Sequence, residues 1–266
     1  MRVRHPNQQR RLSAALSCIL LLGVAACGDD DDDSGGLNPP ATEGLPSHDQ
    51  LVQTLEGARA TPNGGFNLEM WATVVDRSGI VVAVAFTGAQ EGDQWPGSRV
   101  ISAQKANTAN AFSLPGLALS TANLFTATQP GGSLFGLQES NPVDPDVAYG
   151  GNVADYGTTR DFMVGKRIGG VNVFGGGLPL YTADGTLVGA VGVSGDSSCA
   201  DHNIAWKVRD ALGLDNIPGG VSSTGDDNIV YDISGGTSTS GWGHPECSTE
   251  ATAIGNGLPT TNPVGP

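Results

Sequence analysis

Apolar and polar positions in the first third of the chain predict one helix followed by a β-hairpin. Ser47 is a typical N-cap, and the apolar residues after it recur at helical spacing until about residue 60. Residues 66–75 and 80–86 are mostly apolar and are separated by the turn-forming sequence 76–79, as in the two strands of a hairpin. Because residues 80–86 are almost entirely apolar, we expect the second strand to lie in the interior of the sheet.

The middle of the chain repeats this order of elements. A helix with one face of small residues is predicted to begin at residues 96–98, and a short helix capped by Ser120 is expected to end near Ala127. Residues 178–182 and 187–193 are apolar segments on either side of a turn, and they form the second predicted hairpin.

The remaining segments are one further helix and two irregular stretches. Ser198 and Asp201 have the spacing of a capping box, which predicts the start of the last helix. Residues 128–177 are rich in glycine and have little periodicity, so we expect a large excursion that covers one edge of the sheet. Residues 218–266 form a tail rich in Gly, Ser, Thr and Pro, in which only residues 228–233 resemble a strand that could extend a sheet edge.

The order helix, hairpin, helices, hairpin, helix predicts an α/β protein of the α+β type. In this class, helices pack against an antiparallel sheet, and here the domain would span residues 47–217. The 40 glycines and 16 prolines of the chain predict many turns and long loops around a modest core.

The N-terminal segment is predicted to be a signal peptide. Residues 1–26 begin with four arginines and no acidic residue, and they continue with an apolar run that is too short for a typical membrane span. The sequence Val24-Ala25-Ala26-Cys27 resembles the lipobox of bacterial lipoproteins, in which the cysteine becomes the acylated N-terminus. The alternative is an ordinary secretory signal with an incidental cysteine. We expect Cys27 to anchor the protein to a membrane of the cell envelope, in the periplasm or at the outer-membrane surface.

Residues 27–46 are predicted to be an acidic, disordered tether. The five aspartates Asp29–Asp33 repel one another, and the residues after them offer little to bury. A calcium site is the alternative, but no glycine turn or spaced ligand pattern supports it. Removal of residues 1–26 leaves nine basic and 27 acidic residues, a formal charge of −18, which argues against nucleic acid as a partner.

Four segments occur in an order that is similar to a known protein family. They are Val74-Val75-Asp76-Arg77-Ser78-Gly79, Lys105-Ala106-Asn107-Thr108-Ala109, Gly175-Gly176-Gly177-Leu178-Pro179-Leu180 and Val188-Gly189-Ala190-Val191-Gly192-Val193-Ser194-Gly195. This ordered set, within about residues 47–213, resembles the GlcG/HbpS family of haem-binding or haem-degrading domains. The resemblance implies a profilin-like fold, assembly into oligomers, and a haem or tetrapyrrole ligand. In some members it also implies slow oxidative degradation of bound haem.

The resemblance assigns five candidate cofactor-binding positions, which are Lys105, Gly176, Gly177, Ser194 and Gly195. The ammonium group of Lys105 could pair with a haem propionate. The alternative is a surface lysine whose stem packs on apolar neighbours. The glycines permit close approach of backbone, but a strand follows them, which argues against a phosphate cradle. Ser194 lacks the final glycine of a nucleophile elbow, which argues against serine hydrolysis.

The cysteines and histidines after the signal peptide predict a disulfide that is flanked by two histidines. Cys199 and Cys247 remain once Cys27 is acylated, and an oxidising compartment favours a disulfide between them. His202 follows Cys199 by three residues and His244 precedes Cys247 by three, so the disulfide would bring both imidazoles together as ligands for haem iron or a divalent metal. The same residues also fit a tetrahedral zinc site, or a structural disulfide flanked by two surface histidines.

Three functional hypotheses follow. The first is an exported, lipid-anchored protein that binds haem, a related tetrapyrrole or another small anionic ligand. The second is an enzyme that degrades haem oxidatively in the same pocket, and the third is an oligomeric module without a cofactor. The expected partners are the ligand, a lipid membrane contacted through acylated Cys27, and further copies of the chain.

Overall fold

The first hairpin forms as predicted, with a shorter first strand. The computed structural model describes residues 43–265, in which strand β1 (Trp71–Asp76) pairs antiparallel with strand β2 (Val81–Phe86). Residues 66–70 were expected to belong to β1. They do not, because the amides of Phe66 and Leu68 donate to the carboxylate of Asp196 instead of to a neighbouring strand.

The second hairpin completes a four-stranded antiparallel sheet. Strands β3 (Gly177–Tyr181) and β4 (Leu187–Ser194) pair with each other, and β4 also pairs with β1, which gives the order β2-β1-β4-β3. The predicted class, an antiparallel sheet with packed helices, is therefore confirmed. The expectation that β2 lies in the interior of the sheet is wrong, since β2 is an edge strand.

The glycine-rich excursion explains why an edge strand is so apolar. It covers the outer edge of β2, where the Val81 amide donates to Lys166 O at 2.9 Å and the Gly165 amide donates to Val81 O at 2.9 Å. Met163 and Ile168 are fully buried there. Within the excursion, α4 (Pro145–Ala148) is a single turn. The excursion thus satisfies the polar groups of an exposed edge and excludes water from it.

Helices cover both faces of the sheet. On one face lie α1 (His48–Arg59), which Ser47 caps as predicted, and α5 (Ser198–Ala211). On the other face lies α2 (Ser98–Phe112), whose buried residues include the expected small side chains Ala103, Ala106 and Ala109. The short helix α3 (Phe125–Thr128) follows a 3-10 turn at residues 121–124.

Helix α2 approaches β4 so closely that only glycine fits between them. A Cβ atom at Gly192 would lie 2.0 Å from Ser102 O and 2.5 Å from Ala106 N. On the neighbouring strand β1, the hydroxyl of Thr73 forms a hydrogen bond of 2.7 Å with the hydroxyl of Ser102 on α2. The small residues of α2 therefore serve helix-to-sheet packing.

Helix α5 begins one residue earlier than its predicted cap. Ser197 is the N-cap, and its hydroxyl accepts from the Ala200 amide. The predicted capping box of Ser198 and Asp201 is wrong, because both side chains bond elsewhere. The Asp201 carboxylate accepts from the Asp196 amide, and Ser198 Oγ contacts the histidine of the tail described below.

The tail is more ordered than its composition suggests. Residues 228–233 do not extend the sheet, and the only strands described there are the two-residue β5 (Ile233–Ser234) and β6 (Thr237–Ser238), which pair with each other. Helix α6 (Thr249–Thr261) then packs against α5. The sequence did not predict α6, because two glycines and Pro259 lower its helix propensity.

The described part of the chain contains no helix with the length and apolar character needed to span a membrane. The predicted signal peptide, Cys27 and residues 27–42 of the predicted tether lie outside the described residues.

Candidate functional site

A buried ion pair lies at the centre of the family-like motif positions. Lys105 on α2 is 1% exposed, and its Nζ donates to Asp201 Oδ2 at 2.7 Å and to Val193 O at 3.0 Å. Asp201 belongs to α5, so the pair joins the helices of the two opposite faces around the end of β4. Lys105 is therefore not the surface lysine that one alternative described.

Two of the predicted glycines cover this ion pair. A Cβ atom at Gly176 would lie 3.1 Å from Lys105 Nζ and 2.4 Å from Val193 O, and one at Gly177 would lie 2.5 Å from Lys105 O. Gly176 also has a φ of +115°, which side-chain-bearing residues rarely adopt. The atoms closest to these glycines include backbone atoms of the protein and the side chain of Lys105.

The other two motif positions lie at the end of β4. Ser194 is paired with Trp71 in the sheet and is buried, and a Cβ atom at Gly195 would lie 2.4 Å from Glu69 O. The structure thus brings all five motif positions to one end of β4, but backbone atoms already occupy the space beside the glycines. Their assignment as cofactor-binding residues stays a prediction.

Burial dominates the electrostatics of the pair. It raises the pKa of Asp201 to about 6, while the adjacent charge of Lys105 opposes the shift. It also lowers the pKa of Lys105, against the attraction of Asp201. Each partner therefore depends on the other to remain charged in the core.

The predicted disulfide between Cys199 and Cys247 is confirmed, with a Cα–Cα distance of 5.9 Å. Both sulfurs are bonded to each other, so the zinc alternative that needed two thiolates is wrong. Among the described residues, no group of three or more His, Cys, Asp or Glu side chains is arranged to hold a metal ion.

The two histidines flank the disulfide, but neither lies at the surface. His202 is fully buried, and its Nε2 lies 3.1 Å from Asn228 Oδ1 and 3.2 Å from the Ile229 amide nitrogen. His244 is 3% exposed, with Nε2 at 2.7 Å from Ser198 Oγ and Nδ1 at 2.7 Å from Pro245 O. Their role as ligands of iron or metal stays a prediction, while the alternative of two surface histidines is wrong.

Burial lowers the pKa of both imidazoles, to about 3 for His202 and about 4 for His244. Both rings are therefore neutral at physiological pH. His202 Nδ1 has no hydrogen-bond partner among the described residues, whereas both ring nitrogens of His244 are occupied. His244 acts, in this arrangement, as an attachment of the tail to the start of α5.

Two further buried ion pairs were not predicted from the sequence. Arg209 on α5 binds Asp227 of the tail through two hydrogen bonds of 2.7 and 2.8 Å, and both side chains are fully buried. Arg99 on α2 forms a similar pair with Asp161 of the excursion and also donates to Ala148 O at 2.7 Å. These pairs fix the two irregular segments to the helices.

A cavity of about 610 Å³ lies where the excursion meets the start of α2, and we refer to it as the aromatic cavity. Its walls come from β1, from the segment before α2 together with the first turn of α2, and from the excursion. They comprise Trp71, Gln90, Glu91, Gly92, Pro96, Gly97, Arg99, Val100, Tyr149, Val153 and Tyr156.

The aromatic residues around the aromatic cavity differ widely in exposure. Trp71 is 1% exposed, yet its indole N–H has no hydrogen-bond partner in the described part of the chain. The guanidinium of Arg99 lies 3.6 Å from the centroid of the Tyr156 ring. The side chain of Tyr149 is 66% exposed at this site. No sequence pattern predicted the cavity, because its residues come from three distant segments.

A family model described as haem degrading protein HbpS-like matches residues 47–209. None of the curated proteins matches the chain significantly.

Several solved structures are similar to parts of the chain. The Klebsiella pneumoniae protein ORFY is 25% identical, with 62% of this chain and 86% of that chain covered and a TM-score of 0.42. The complex of PduOC with haem is 24% identical, with 63% and 94% covered and a TM-score of 0.44. A double mutant of HbpS from Streptomyces reticuli is 18% identical, with 76% and 99% covered and a TM-score of 0.42.

The substitution Lys105→Met is expected to lower the free energy of unfolding by about 3–5 kcal/mol, because Asp201 remains buried without its cation. The double variant Lys105→Met/Asp201→Asn should recover part of this loss, since the buried charge is then removed as well. Urea denaturation of the three proteins measures both effects. Equal midpoints for the wild type and Lys105→Met would show that the pair does not stabilise the fold.

Acid is expected to destabilise the protein through its buried histidines. Between about pH 7 and about pH 5 the unfolded chain protonates both imidazoles while the folded chain does not, so the free energy of unfolding falls by roughly 2 kcal/mol per imidazole. Asp201 opposes this by about 1 kcal/mol, because its folded carboxyl takes up a proton at higher pH than the unfolded one. Urea denaturation at each pH measures how the free energy of unfolding depends on pH, and His244→Gln should weaken this dependence. An unchanged pH dependence in His244→Gln would contradict the assignment of the acid sensitivity to His244.

Proposed function

The chain belongs to the family of HbpS-like haem-degrading proteins, and from this membership we propose that it binds haem or a closely related tetrapyrrole. The observation that carries the proposal is the family match over residues 47–209, which is more than half of the chain. The description of the family names haem as the molecule on which its members act.

The residues of the chain offer two places for such a group, and they fit it unequally. The motif positions surround Lys105, whose ammonium is already bound by Asp201 and Val193 O, and the backbone closes around them. The aromatic cavity has open volume and mostly apolar walls. Its volume of about 610 Å³ lies within the usual range of small-molecule sites.

Haem, when bound, supplies redox-active iron, while the protein supplies binding, orientation and the exclusion of water. In this chain the excursion provides one wall of the aromatic cavity, and the ion pair of Arg99 and Asp161 holds that wall in place. Degradation of bound haem, which we expect to be oxidative, is the second candidate function, because the family description names haem degradation.

Export and lipid anchoring complete the proposal. They are supported by the basic start, the apolar run and the small residues before Cys27. The disulfide of Cys199 and Cys247 is consistent with an oxidising compartment, where such bonds persist. Membrane attachment would then depend on the acyl chains of Cys27.

Expression of the full chain in a Gram-negative bacterium tests the anchor. We expect the wild type in the membrane fraction, with mass spectrometry showing an acylated N-terminal peptide that begins at Cys27. Cys27→Ser should abolish acylation and its associated cleavage, while Cys18→Ser should leave both unchanged. An unmodified Cys27 peptide from the wild type would contradict the proposal.

Haemin titration of the full chain, purified in mild detergent, tests the function. We expect a saturable Soret band with a dissociation constant in the micromolar range or below, about −8 kcal/mol or stronger. Addition of a reductant under oxygen should leave the band stable if the protein only binds haem, and bleach it with release of iron if the protein degrades haem. A flat titration would contradict haem binding and favour an oligomeric module without a cofactor.

A further inference from the structure

We propose that Ser198 and His244 form a nucleophilic serine–histidine dyad that cleaves small, uncharged, activated esters. Neither residue lines the aromatic cavity, and this activity is independent of the proposed haem binding. The hydrogen bonds that join the two side chains to each other and to the backbone carry the assignment. The nucleophile is not Ser194, which lacks the final glycine of a nucleophile elbow.

The hydrogen bonds of His244 fix the position of the proton on its ring. Nδ1 lies 2.7 Å from Pro245 O, and a carbonyl oxygen only accepts, so Nδ1 carries the proton. The lone pair of the neutral ring is then on Nε2, which lies 2.7 Å from Ser198 Oγ. The serine hydroxyl therefore donates to Nε2. A general base needs this tautomer in order to take the proton of a serine.

His244 is an uncharged but weak base. Burial lowers the pKa of its ring to about 4, so the lone pair of Nε2 is available at physiological pH. A base with a low pKa takes up a proton less readily, which limits the dyad to reactive substrates. Aryl esters meet this condition, because a phenolate is a good leaving group. The formal charge of −14 disfavours anionic esters.

The backbone holds Ser198 in position for attack. Ser198 is the first residue of α5, after a turn at residues 195–197 that follows β4. Its Oγ also accepts from the Gly175 amide at 2.8 Å. This hydrogen bond and the positive end of the 14-residue helix both favour the anionic form of the oxygen. A hydroxyl oxygen has two lone pairs, so one remains for attack on a carbonyl carbon.

Ser198 lies at the surface, where a small molecule can reach it. The residue is partly exposed, and its neighbours Phe174, Pro245 and Cys247 are exposed. Within the described residues, the backbone amide of Ser198 forms no hydrogen bond. This N–H at the start of α5 can therefore donate to the oxyanion that forms when the ester is attacked.

The disulfide helps to hold the base against the nucleophile. His244 precedes Cys247 by three residues, and Cys247 is bonded to Cys199, the residue after Ser198. The ring of Phe125 also packs on the imidazole, with the two centroids 5.1 Å apart. The nucleophile belongs to the domain and the base belongs to the tail. Assembly of the dyad therefore depends on closure of the tail onto α5.

The reaction balances with water as the second substrate. Ser198 Oγ forms a bond to the carbonyl carbon of the ester while its proton passes to His244 Nε2. The bond from this carbon to the phenolic oxygen then breaks, and the leaving oxygen takes the proton from Nε2. Water next adds to the acyl group on the serine and gives a proton to Nε2. Ser198 Oγ leaves with that proton, and the carboxylic acid is released.

An alkyl fluorophosphonate tests the nucleophile in the full chain, purified in mild detergent. Ser198 Oγ would form a bond to phosphorus, fluoride would leave, and the proton would pass to His244. We expect mass spectrometry to show one adduct, on the peptide that contains Ser198. Ser198→Ala should abolish it, whereas Ser140→Ala, at an exposed serine of the excursion, should not. A wild type without this adduct would overturn the proposal and leave the hydrogen bond as an attachment of the tail.

The rate of this labelling tests the base. His244→Gln keeps a polar side chain but offers no basic nitrogen, so the rate should fall about 100-fold or more. His48→Gln changes a partly exposed histidine of α1 and should label as the wild type does. Melting temperatures show whether each variant is folded. Equal rates for the wild type and His244→Gln would overturn the dyad.

Removal of the disulfide gives a second test, in which both residues of the dyad remain. Cys199→Ala/Cys247→Ala should lower the rate of labelling about tenfold or more, because the base is held less closely to the nucleophile. An unchanged rate would overturn the part assigned to the disulfide.

Turnover is tested with p-nitrophenyl acetate, an uncharged aryl ester. We expect the wild type to release p-nitrophenol faster than Ser198→Ala does. Equal rates of release for the two proteins would overturn the esterase activity. Haemin binding is measured separately, so a failure of either proposal leaves the other standing.

Discussion

The ion pair of Lys105 and Asp201 is the interaction on which the architecture depends. It is buried at the end of β4 and joins α2 on one face of the sheet to α5 on the other. Two charges in the core must compensate each other, so the positions of both helices are fixed to within hydrogen-bonding distance. The glycines beside the pair are required by this packing, since a Cβ atom at Gly176 would contact the lysine.

Buried ion pairs also attach the two irregular segments, the excursion and the tail, to the helices. Arg99 binds Asp161 of the excursion, and Arg209 binds Asp227 of the tail, with all four side chains buried. Burial makes such pairs costly to break, because the group left behind would be an uncompensated charge. Segments whose glycine content predicts loose loops are in this way held against the helices, and the disulfide adds a covalent link to the tail.

The closed centre of the domain and its open volume therefore lie in different places. The family-like motif positions form a closed, bonded centre, and the open volume lies where the fixed excursion meets the start of α2. An anchored excursion can serve as the wall of a binding site, because its backbone is ordered before the ligand arrives. The tail extends the core on the α5 face, where α6 buries Ala251 and Leu258.

The sequence by itself determined the local elements and the covalent link. Apolar periodicity and turn residues predicted both hairpins, the helix capped by Ser47 and the class of fold, and the cysteine usage predicted the Cys199–Cys247 bond. Only the tertiary structure decided that β2 is an edge strand, that α6 forms despite Pro259, and that Lys105 binds Asp201. The physical reason is that hydrophobic spacing reports which residues are buried, while the partner of a buried charge or strand edge comes from a distant segment.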